Sequence, residues 1–376
     1  MSSLTRNNHF VPVWYQQGFL APGKGELCVF DKAPDYAIRL PNGDVKKVKR
    51  RNISKKGPYK FLRLTDLYTT QYFGVPNDAI ERQLFGLIDD RGADAVAMFK
   101  EWPITEHFDF HTSIDRRHGD PNKHLIALID YLDAQKIRTP KGLRLLRTIS
   151  AKTGFIADQN TLMMLMQQWR RFFCTMLAEG FWEIVGANLS DHKFIYSDEP
   201  VTLYNCDHYP NSPMCQFPYD PHIFERGTRV IFPLDSNNCL IISHFEHAND
   251  PKRSRARQQR RNARAYDQTV LSYLDVHRTR ELNTSQVASI NYAIKKRAVR
   301  YVAAGTNDWL LPENIVGDPR WSEIDATLHY DGFARKLAGG ETILKYTDES
   351  IEFSNQFGER QFVPGWFVKR NKTDRS

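Results

Sequence analysis

The apolar residues of this chain change their spacing twice, from strand-length runs to helical spacing and back again. Residues 9–75 contain short apolar runs separated by turn residues, whereas residues 77–185 repeat apolar residues at helical spacing. Residues 190–376 mix both patterns, without the regular strand–helix alternation of a doubly wound sheet. The pattern predicts an α+β fold, with an N-terminal β-rich segment, a helical centre and a C-terminal mixed sheet with helices.

Several apolar runs have the length of strands and lie in pairs on either side of turn residues. We expect a strand at residues 26–30 and two or three closing strands within residues 342–369. The paired runs predict turns between neighbouring strands at residues 41–44, 197–200 and 235–238.

The helical centre contains one segment, Asn160–Glu179, that is apolar around much of its circumference. Such a segment is typical of a central, largely buried helix. Asn77 or Asp78 can cap an earlier helix, and Pro140 is expected to stop the helix before it. Further helices are predicted at residues 124–135, 142–150 and 285–302.

The composition indicates an ordinary globular protein. The chain has 376 residues, of which 41% are hydrophobic, and it has no low-complexity linker, so residues 1–376 are expected to form a single large domain. No stretch is apolar enough to span a bilayer, and the polar N-terminus does not look like a secretory signal. The five cysteines form no Cys-x-x-Cys pair, which favours reduced thiols in the cytoplasm and no disulfide-linked partner.

Two segments of the chain carry much of its positive charge, and neither contains an acidic residue. Residues 46–60 hold eight lysines and arginines and residues 252–264 hold seven, against a formal net charge of +8, so the remainder is net negative. Such runs attract phosphate backbones or other polyanions, although solvated loops and helix faces show them too. The residues expected to bind nucleic acid are Lys46, Lys47, Lys49, Arg50, Arg51, Arg253, Arg255, Arg257, Arg260 and Arg261.

Six short motifs occur along the chain in a recognisable order. They are His9-Phe10-Val11-Pro12, Leu27-Cys28-Val29-Phe30-Asp31, Ile80-Glu81, Gln135-Lys136-Ile137-Arg138-Thr139-Pro140, Phe194-Ile195-Tyr196-Ser197-Asp198-Glu199-Pro200-Val201 and Ile231-Phe232-Pro233-Leu234-Asp235. Together they resemble the bacterial family called domain of unknown function 4238, from His9 to near Tyr301. Family members often carry a second acid soon after the Ile-Glu pair, whereas this chain has Asp89 and Asp90. The resemblance implies a bacterial origin, and it provides no assigned reaction and no catalytic residues.

His9 is the first candidate for catalysis, because its motif is similar to the His-x-Val-Pro sequence of HNH-type nucleases. In those enzymes the imidazole is a general base that activates water for attack on a phosphodiester. The glycine pair and the Asn-x-x-x-His metal-binding segment that complete the nuclease motif are missing. His9 can equally be a structural residue whose ring donates to a buried carbonyl.

Three further charged residues are candidates because they lie near the expected ends of elements. Glu81 stands at the start of a predicted helix. Arg138, held in place by Pro140, could clamp a phosphate or carboxylate, or it could pair internally with Glu81 or Asp198. Asp198 lies in a predicted turn, where it could ligate Mg²⁺, act as a base, or bind its own turn backbone.

Other motifs give less support to specific chemistry. His244 and His247 have no third ligand nearby, and His107 and His111 lie in a segment that is not a convincing helix, so we expect no zinc site. The metal, if any, is unknown, with Mg²⁺ the candidate cofactor. The chain has no Gly-x-Gly-x-x-Gly, Walker or Gly-x-Ser-x-Gly motif, which removes the usual support for nucleotide cofactors and serine hydrolysis.

Two functional hypotheses follow. The first is a metal-dependent, nuclease-like enzyme, such as a toxin or phage-defence effector, in which His9, Glu81, Arg138 and Asp198 meet in one cleft. The second is a non-enzymatic module that uses the same basic surface to bind nucleic acid or an acidic partner. Geometry distinguishes them, because catalysis needs the candidate side chains to converge beside a basic groove.

Overall fold

The computed structural model describes residues 4, 6–39, 44–48, 51–102, 121–223, 225, 227–243, 276–329, 342–347, 350–354 and 360–364. Its α-helices in these ranges are α1 (Val13–Gln17), α2 (Gly86–Lys100), α3 (Pro121–Arg138), α4 (Pro140–Lys152), α5 (Gln159–Gln168), α6 (Cys174–Glu179), α7 (Thr284–Arg297), α8 (Glu313–Val316) and α9 (Asp325–Leu328). A π-helical turn, Ile80–Phe85, leads directly into α2. Shorter 3₁₀ turns cover Pro58–Lys60, Pro213–Cys215, Asp308–Leu310 and Trp321–Ile324.

The strands form several sheets, which confirms the predicted α+β fold. They are β1 (Asn7–His9), β2 (Leu27–Asp31), β3 (Tyr36–Arg39), β4 (Val45–Val48), β5 (Ile53–Lys56), β6 (Arg63–Thr65), β7 (Thr70–Tyr72), β8 (Val75–Asn77), β9 (Phe181–Gly186), β10 (Tyr196–Ser197), β11 (Thr202–Tyr204), β12 (Arg229–Pro233), β13 (Asn238–Ser243), β14 (Val276–Glu281), β15 (Tyr301–Ala304), β16 (Thr342–Lys345), β17 (Ile351–Ser354) and β18 (Arg360–Val363). The expected antiparallel pairs β3–β4 and β12–β13 form, and β16, β17 and β18 make the closing sheet.

The five-stranded sheet is buried on both faces. Its strand order is β11-β12-β13-β9-β14, antiparallel except that β14 runs parallel to β9. Phe232 joins a hydrophobic core with Leu128 and Leu132 of α3, whereas the adjacent Ile231 joins a second core with Ile290 of α7. Because both faces are covered, the three inner strands β12, β13 and β9 are largely apolar, which is otherwise more typical of parallel sheets, whereas the edge strand β14 is mostly polar.

A four-stranded sheet shares the second hydrophobic core with this layer and carries several basic residues. Its order is β10-β15-β2-β5, and all its pairs are antiparallel. The β5 strand forms one edge and presents exposed Lys55 and Lys56. The short β1–β6 pair connects the N-terminus to residues just beyond β5.

The prediction of one continuous helix over residues 160–179 is wrong, because the segment forms two helices. The first, α5, ends at Gln168, and the second, α6, begins only at Cys174. The carboxylate of Asp133 on α3 accepts the backbone N–H of Arg171 at 2.7 Å and that of Phe173 at 3.0 Å. Arg171 also has a left-handed backbone, with φ of 69°. The carboxylate of Asp133 therefore accepts two backbone N–H groups that, in a continuous helix, would donate to carbonyl oxygens of the preceding turn.

The predicted hairpin around residues 197–200 is also wrong. β10 pairs with β15, whereas β11 pairs with β12, so the two strands belong to different sheets. The helix expected over residues 285–302 ends at Arg297, and Tyr301–Ala304 is a strand. Pro140 does not only stop α3: it occupies the first turn of α4, which the hydroxyl of Thr139 caps by accepting from Gly142.

Two findings within the described ranges concern the cysteines and the length of the apolar helices. All five cysteines are free thiols, and none takes part in a disulfide. No helix in the described part of the chain combines the length and the apolar character needed to cross a bilayer.

Candidate functional site

His9 lies at the end of β1, opposite Arg63 of β6. Its Nε2 lies 3.2 Å from the carbonyl oxygen of Tyr59, to which it can donate. Burial lowers the pKa of His9, the Tyr59 hydrogen bond opposes this, and the positive charge of Arg63 lowers it further. The half-buried imidazole is therefore mostly neutral at pH 7, which is the form that a general base requires.

Arg138 is buried, and its guanidinium has internal partners. Its Nη1 donates to Asp89 Oδ1 at 2.8 Å, and its Nε donates to Gln135 Oε1 at 2.8 Å. The guanidinium also lies 5.2 Å from the centre of the Phe85 ring. The partner of Arg138 is thus Asp89, and not Glu81 or Asp198 as considered from the sequence.

Glu81 belongs to the same buried group as Arg138. Burial raises the pKa of Glu81 to about 7, and the charge of Arg138 opposes that rise. Its Oε2 is buried and has no hydrogen-bond partner among the described residues. A carboxyl group in this state is partly protonated near neutral pH, which is compatible with proton transfer and also with a structural role.

The carboxylate of Asp198 is bound by the backbone of the segment between α7 and β15. It accepts the N–H groups of Val299 at 3.0 Å, Arg300 at 2.7 Å and Tyr301 at 3.0 Å. Burial raises the pKa of Asp198, and these three hydrogen bonds oppose the rise. The residue fixes the segment between α7 and β15, a role that neither the metal-ligand nor the local-turn hypothesis described.

An open cleft of about 890 Å³ lies against the four-stranded sheet, and we call it the basic cleft. Arg51, Lys56, Lys60 and Arg63 are exposed, and none has an ion pair with a described residue. The cleft is lined by six cations, which are Arg51, Lys56, Lys60, Arg63, Lys141 and Arg300, and by three acids, which are Asp31, Asp198 and Glu199.

The acids of the basic cleft do not pair with Arg51, Lys56, Lys60 or Arg63. Asp31 is bound to Arg300 through two hydrogen bonds of 2.9 Å. Asp198 is held by backbone N–H groups, and burial raises the pKa of Glu199 to about 7. The cleft therefore presents uncompensated positive charge to solvent.

Of the four residues proposed for catalysis, Asp198 lines the basic cleft, and His9 precedes Phe10, which also lines it. Glu81 and Arg138 are not among the lining residues and belong to the buried group around Asp89. The structure thus places Glu81 and Arg138 in one buried group and Asp198 in the basic cleft, and the catalytic role of each of the four candidates stays a prediction.

The basic residues proposed from the sequence are only partly covered by the described ranges. Arg51 is exposed in the basic cleft. Lys46 and Lys47 lie on β4, and nothing is described of their side chains. The residues outside the described part of the chain are Lys49, Arg50, Arg253, Arg255, Arg257, Arg260 and Arg261, together with His107, His111, His244 and His247.

A buried group of charges, which sequence reasoning missed, adjoins the basic cleft, because two of its members line the cleft. We call it the charge cluster; its members are Lys136, Lys141, Glu199, Asp220 and Arg297. Lys136 Nζ and Lys141 Nζ each lie 2.5 Å from an Asp220 oxygen, and Arg297 pairs with the same carboxylate. Although burial acts to raise it, these cations hold the pKa of Asp220 well below its ordinary value.

The sequence contained a partial signal for the charge cluster. Lys136 and Glu199 lie inside two of the quoted motifs, Lys136 two residues before the candidate Arg138 and Glu199 directly after the candidate Asp198. Asp220 stands in a proline-rich stretch that carries no motif, and no local pattern links it to Lys136, 84 residues away.

No metal site is formed by the described residues. Among them, no group of three or more His, Cys, Asp or Glu side chains is arranged to hold an ion. Asp198 and Glu199 are adjacent, but the first is occupied by backbone donors and the second lies 3.6 Å from Lys136 Nζ. Binding of Mg²⁺ therefore stays a prediction.

Comparisons with known proteins give one match. No curated protein and no solved structure matches the chain. The family model described as "Protein of unknown function (DUF4238)" matches residues 122–308. This range contains three of the six motifs, α3 to α7 and the charge cluster, whereas the motif of His9 lies outside it. Over residues 122–308, from the helical centre through the five-stranded sheet, the chain resembles the DUF4238 family.

Proposed function

We propose that this protein binds single-stranded nucleic acid in the basic cleft. The observation that carries the proposal is the exposure of Arg51, Lys56, Lys60 and Arg63 without ion pairs to described residues. Cations in this state attract phosphate groups, because binding releases the counterions that surround a nucleic acid strand.

The aromatic residues of the basic cleft favour a single strand over a duplex. Phe217 lines the cleft with 56% of its surface exposed, and Tyr59, beside Lys60, is 66% exposed. The Arg300 guanidinium lies 4.9 Å from the centre of the Tyr301 ring, and both residues line the cleft. Exposed rings and stacked arginines are the surfaces on which unpaired bases stack.

The test is the salt dependence of binding to labelled single-stranded DNA and RNA, measured by fluorescence anisotropy. Four phosphate contacts predict a slope of log K against log salt of about −3, or a loss of about 50-fold between 50 and 200 mM salt. The triple variant Lys56→Gln, Lys60→Gln, Arg63→Gln should reduce the slope to about −1.

The matched control changes three exposed cations that do not line the basic cleft, namely Lys123→Gln, Arg144→Gln and Lys345→Gln. It removes the same net charge, so it should keep the wild-type slope if the cleft is the site. Binding that is absent, that does not depend on salt, or that falls equally in both triple variants would overturn the proposal.

A second version of this function, in which the protein hydrolyses the bound strand, is supported by the position of His9, which directly precedes the cleft residue Phe10. We propose it as the second candidate, with a toxin or phage-defence role in a bacterial cytoplasm where the five thiols stay reduced. Incubation with plasmid and RNA in Mg²⁺ or Mn²⁺ tests it. His9→Ala should abolish cleavage and the half-buried control His192→Ala should retain it; cleavage by both variants excludes His9.

A further inference from the structure

An apolar pocket of about 300 Å³ adjoins the charge cluster and shares Lys141 and Glu199 with the lining of the basic cleft. It is bounded by α4, the junction between α5 and α6, and the loop at residues 218–223. We call it the apolar pocket; its walls include Leu146, Ile149, Trp169, Phe172, Phe173 and Ile223. Its volume is about that of ten water molecules, and pockets of this size and character are typical of small-molecule sites.

The polar end of the apolar pocket is formed by the charge cluster. Lys136, Lys141, Glu199 and Asp220 all line it, and Arg297 lies behind them on Asp220. Three cations face two carboxyl groups, so the cluster carries a net charge of +1 when Glu199 is ionised. A buried uncompensated cation is costly, and an anionic ligand would offset that cost.

Two of the lining residues have hydrogen-bonding capacity that the described residues do not use. Lys141 Nζ has three N–H groups and makes one hydrogen bond in the described part of the chain, to Asp220. The hydroxyl of Tyr219 is buried and has no hydrogen-bond partner among the described residues. Buried donors of this kind are uncommon in folded proteins and require an explanation, such as an unseen ligand.

We propose that the apolar pocket binds a small amphipathic carboxylate, with its hydrocarbon part against the aromatic walls and its carboxylate at Lys141 and Tyr219. The inference does not rest on nucleic-acid binding, because the apolar walls and the unused donors of Lys141 and Tyr219 carry it without the exposed cations of the basic cleft. A neutral ligand would leave the charge of the cluster uncompensated, and a cation would add to it.

The charge on Glu199 makes the affinity depend on pH. Burial raises the pKa of Glu199 to about 7; Lys136, Lys141 and Thr139 lower it, and Asp220 raises it. His222 also lines the pocket, and burial lowers its pKa. Ionised Glu199 repels a carboxylate, so affinity should fall as pH rises from 6 to 8.5, by at most about 30-fold.

The experiment is calorimetric titration of the protein with octanoate, octanamide and octylammonium, which share a chain and differ in charge. Octanoate should bind with a dissociation constant below about 1 mM, and at least tenfold more tightly than the other two. Glu199→Gln should bind octanoate equally at pH 6 and pH 8.5. Failure of octanoate to bind, or equal binding of all three compounds, overturns the proposal.

Variants in which a tryptophan fills the apolar pocket test whether octanoate binds there. Ile149→Trp places an indole inside the pocket and should weaken octanoate binding at least tenfold, whereas Ile156→Trp, at a side chain that is 90% exposed, should not. Leu145→Trp provides the same test if Ile149→Trp does not fold, as judged by its circular dichroism spectrum. Wild-type affinity in a folded occluded variant would place octanoate elsewhere and contradict the proposal.

Discussion

Arg138 shows how strongly one buried charge depends on its partners. Its side chain is 1% exposed, while that of Asp89 is 23% exposed, so replacement of the arginine leaves a mostly buried carboxylate unpaired. We expect Arg138→Met to reduce the free energy of unfolding by about 3 kcal/mol, because breaking a buried pair costs far more than the pair contributes. Urea unfolding measures the loss.

The exposed pair between Arg6 and Asp66 is the control for this variant. Solvent and salt screen such pairs, so Arg6→Gln should leave the unfolding midpoint in urea unchanged within error. Equal losses for Arg138→Met and Arg6→Gln would contradict the structural role of the buried pair.

The raised pKa of Glu81 predicts how stability changes with pH. Between pH 4.5 and pH 7 the folded state binds more protons than the unfolded state, so the free energy of unfolding falls as pH rises. Glu81→Gln removes the titrating group and should flatten this part of the profile, with a gain on the order of 1–3 kcal/mol at pH 8.

Unfolding in urea at pH 5 and pH 8 measures this effect. Glu26→Gln, at an exposed position, is the matched control and should show the wild-type profile. If Glu81→Gln also keeps the wild-type profile, Glu81 does not carry the raised pKa that its burial implies.

At the scale of elements, the corner between α3 and α4 positions both Arg138 and Lys141. Gly142 permits this corner, because an added Cβ would collide with the backbone carbonyls of Lys136 and Ile137. We expect Gly142→Ala to lower the free energy of unfolding by more than about 2 kcal/mol, since backbone atoms must move to relieve the overlap.

Gly25→Ala is the control for this substitution, because nothing lies within 4 Å of the Cβ that it would add. Thermal and urea unfolding of the two variants compare the same chemical change in a crowded and an open position. If Gly142→Ala is as stable as Gly25→Ala, the corner is more adaptable than its close contacts indicate.

The bounds of an element could be predicted where neighbouring residues determine them. They could not be predicted where a hydrogen bond from a residue distant in sequence determines them. The pair β12–β13 needs only its apolar runs and the turn between them, and it forms as expected. The break between α5 and α6 depends on Asp133, 38 residues before Arg171. The end of α7 depends on Asp198, 101 residues before Val299, and no local pattern reports such acceptors.

The same distinction applies to the candidate sites. The importance of the motif around Arg138 could be predicted, but its partner Asp89 is 49 residues away. The exposed cations of the basic cleft were visible partly as a charge run that contains Arg51 and Lys56. The apolar pocket had no sequence signal, because its walls come from helices and a loop that only the folded chain brings together.

At the scale of the whole molecule, the two faces of the five-stranded sheet support two hydrophobic cores. Phe232 belongs to one core and Ile231 to the other, and both side chains are fully buried. If the chain is a single domain, the two cores unfold together. We expect Phe232→Ala and Ile231→Ala each to lower the free energy of unfolding by about 3–5 kcal/mol. Both variants should shift the same single unfolding transition.

Urea unfolding followed by tryptophan fluorescence and by circular dichroism tests this prediction. Coincident curves with an unchanged denaturant slope in both variants support one cooperative unit. Two separated transitions, with each variant shifting only one of them, would show that the layers on either side of the sheet fold independently.

Lys141 and Glu199 form a common wall, because both line the basic cleft and the apolar pocket. Occupation of one cavity changes the field and the proton occupancy that the other cavity experiences. Thermodynamic reciprocity then requires that the two occupants alter each other's affinity by the same factor. Two side chains, one lysine and one glutamate, are thus enough to couple a ligand in one cavity to a ligand in the other.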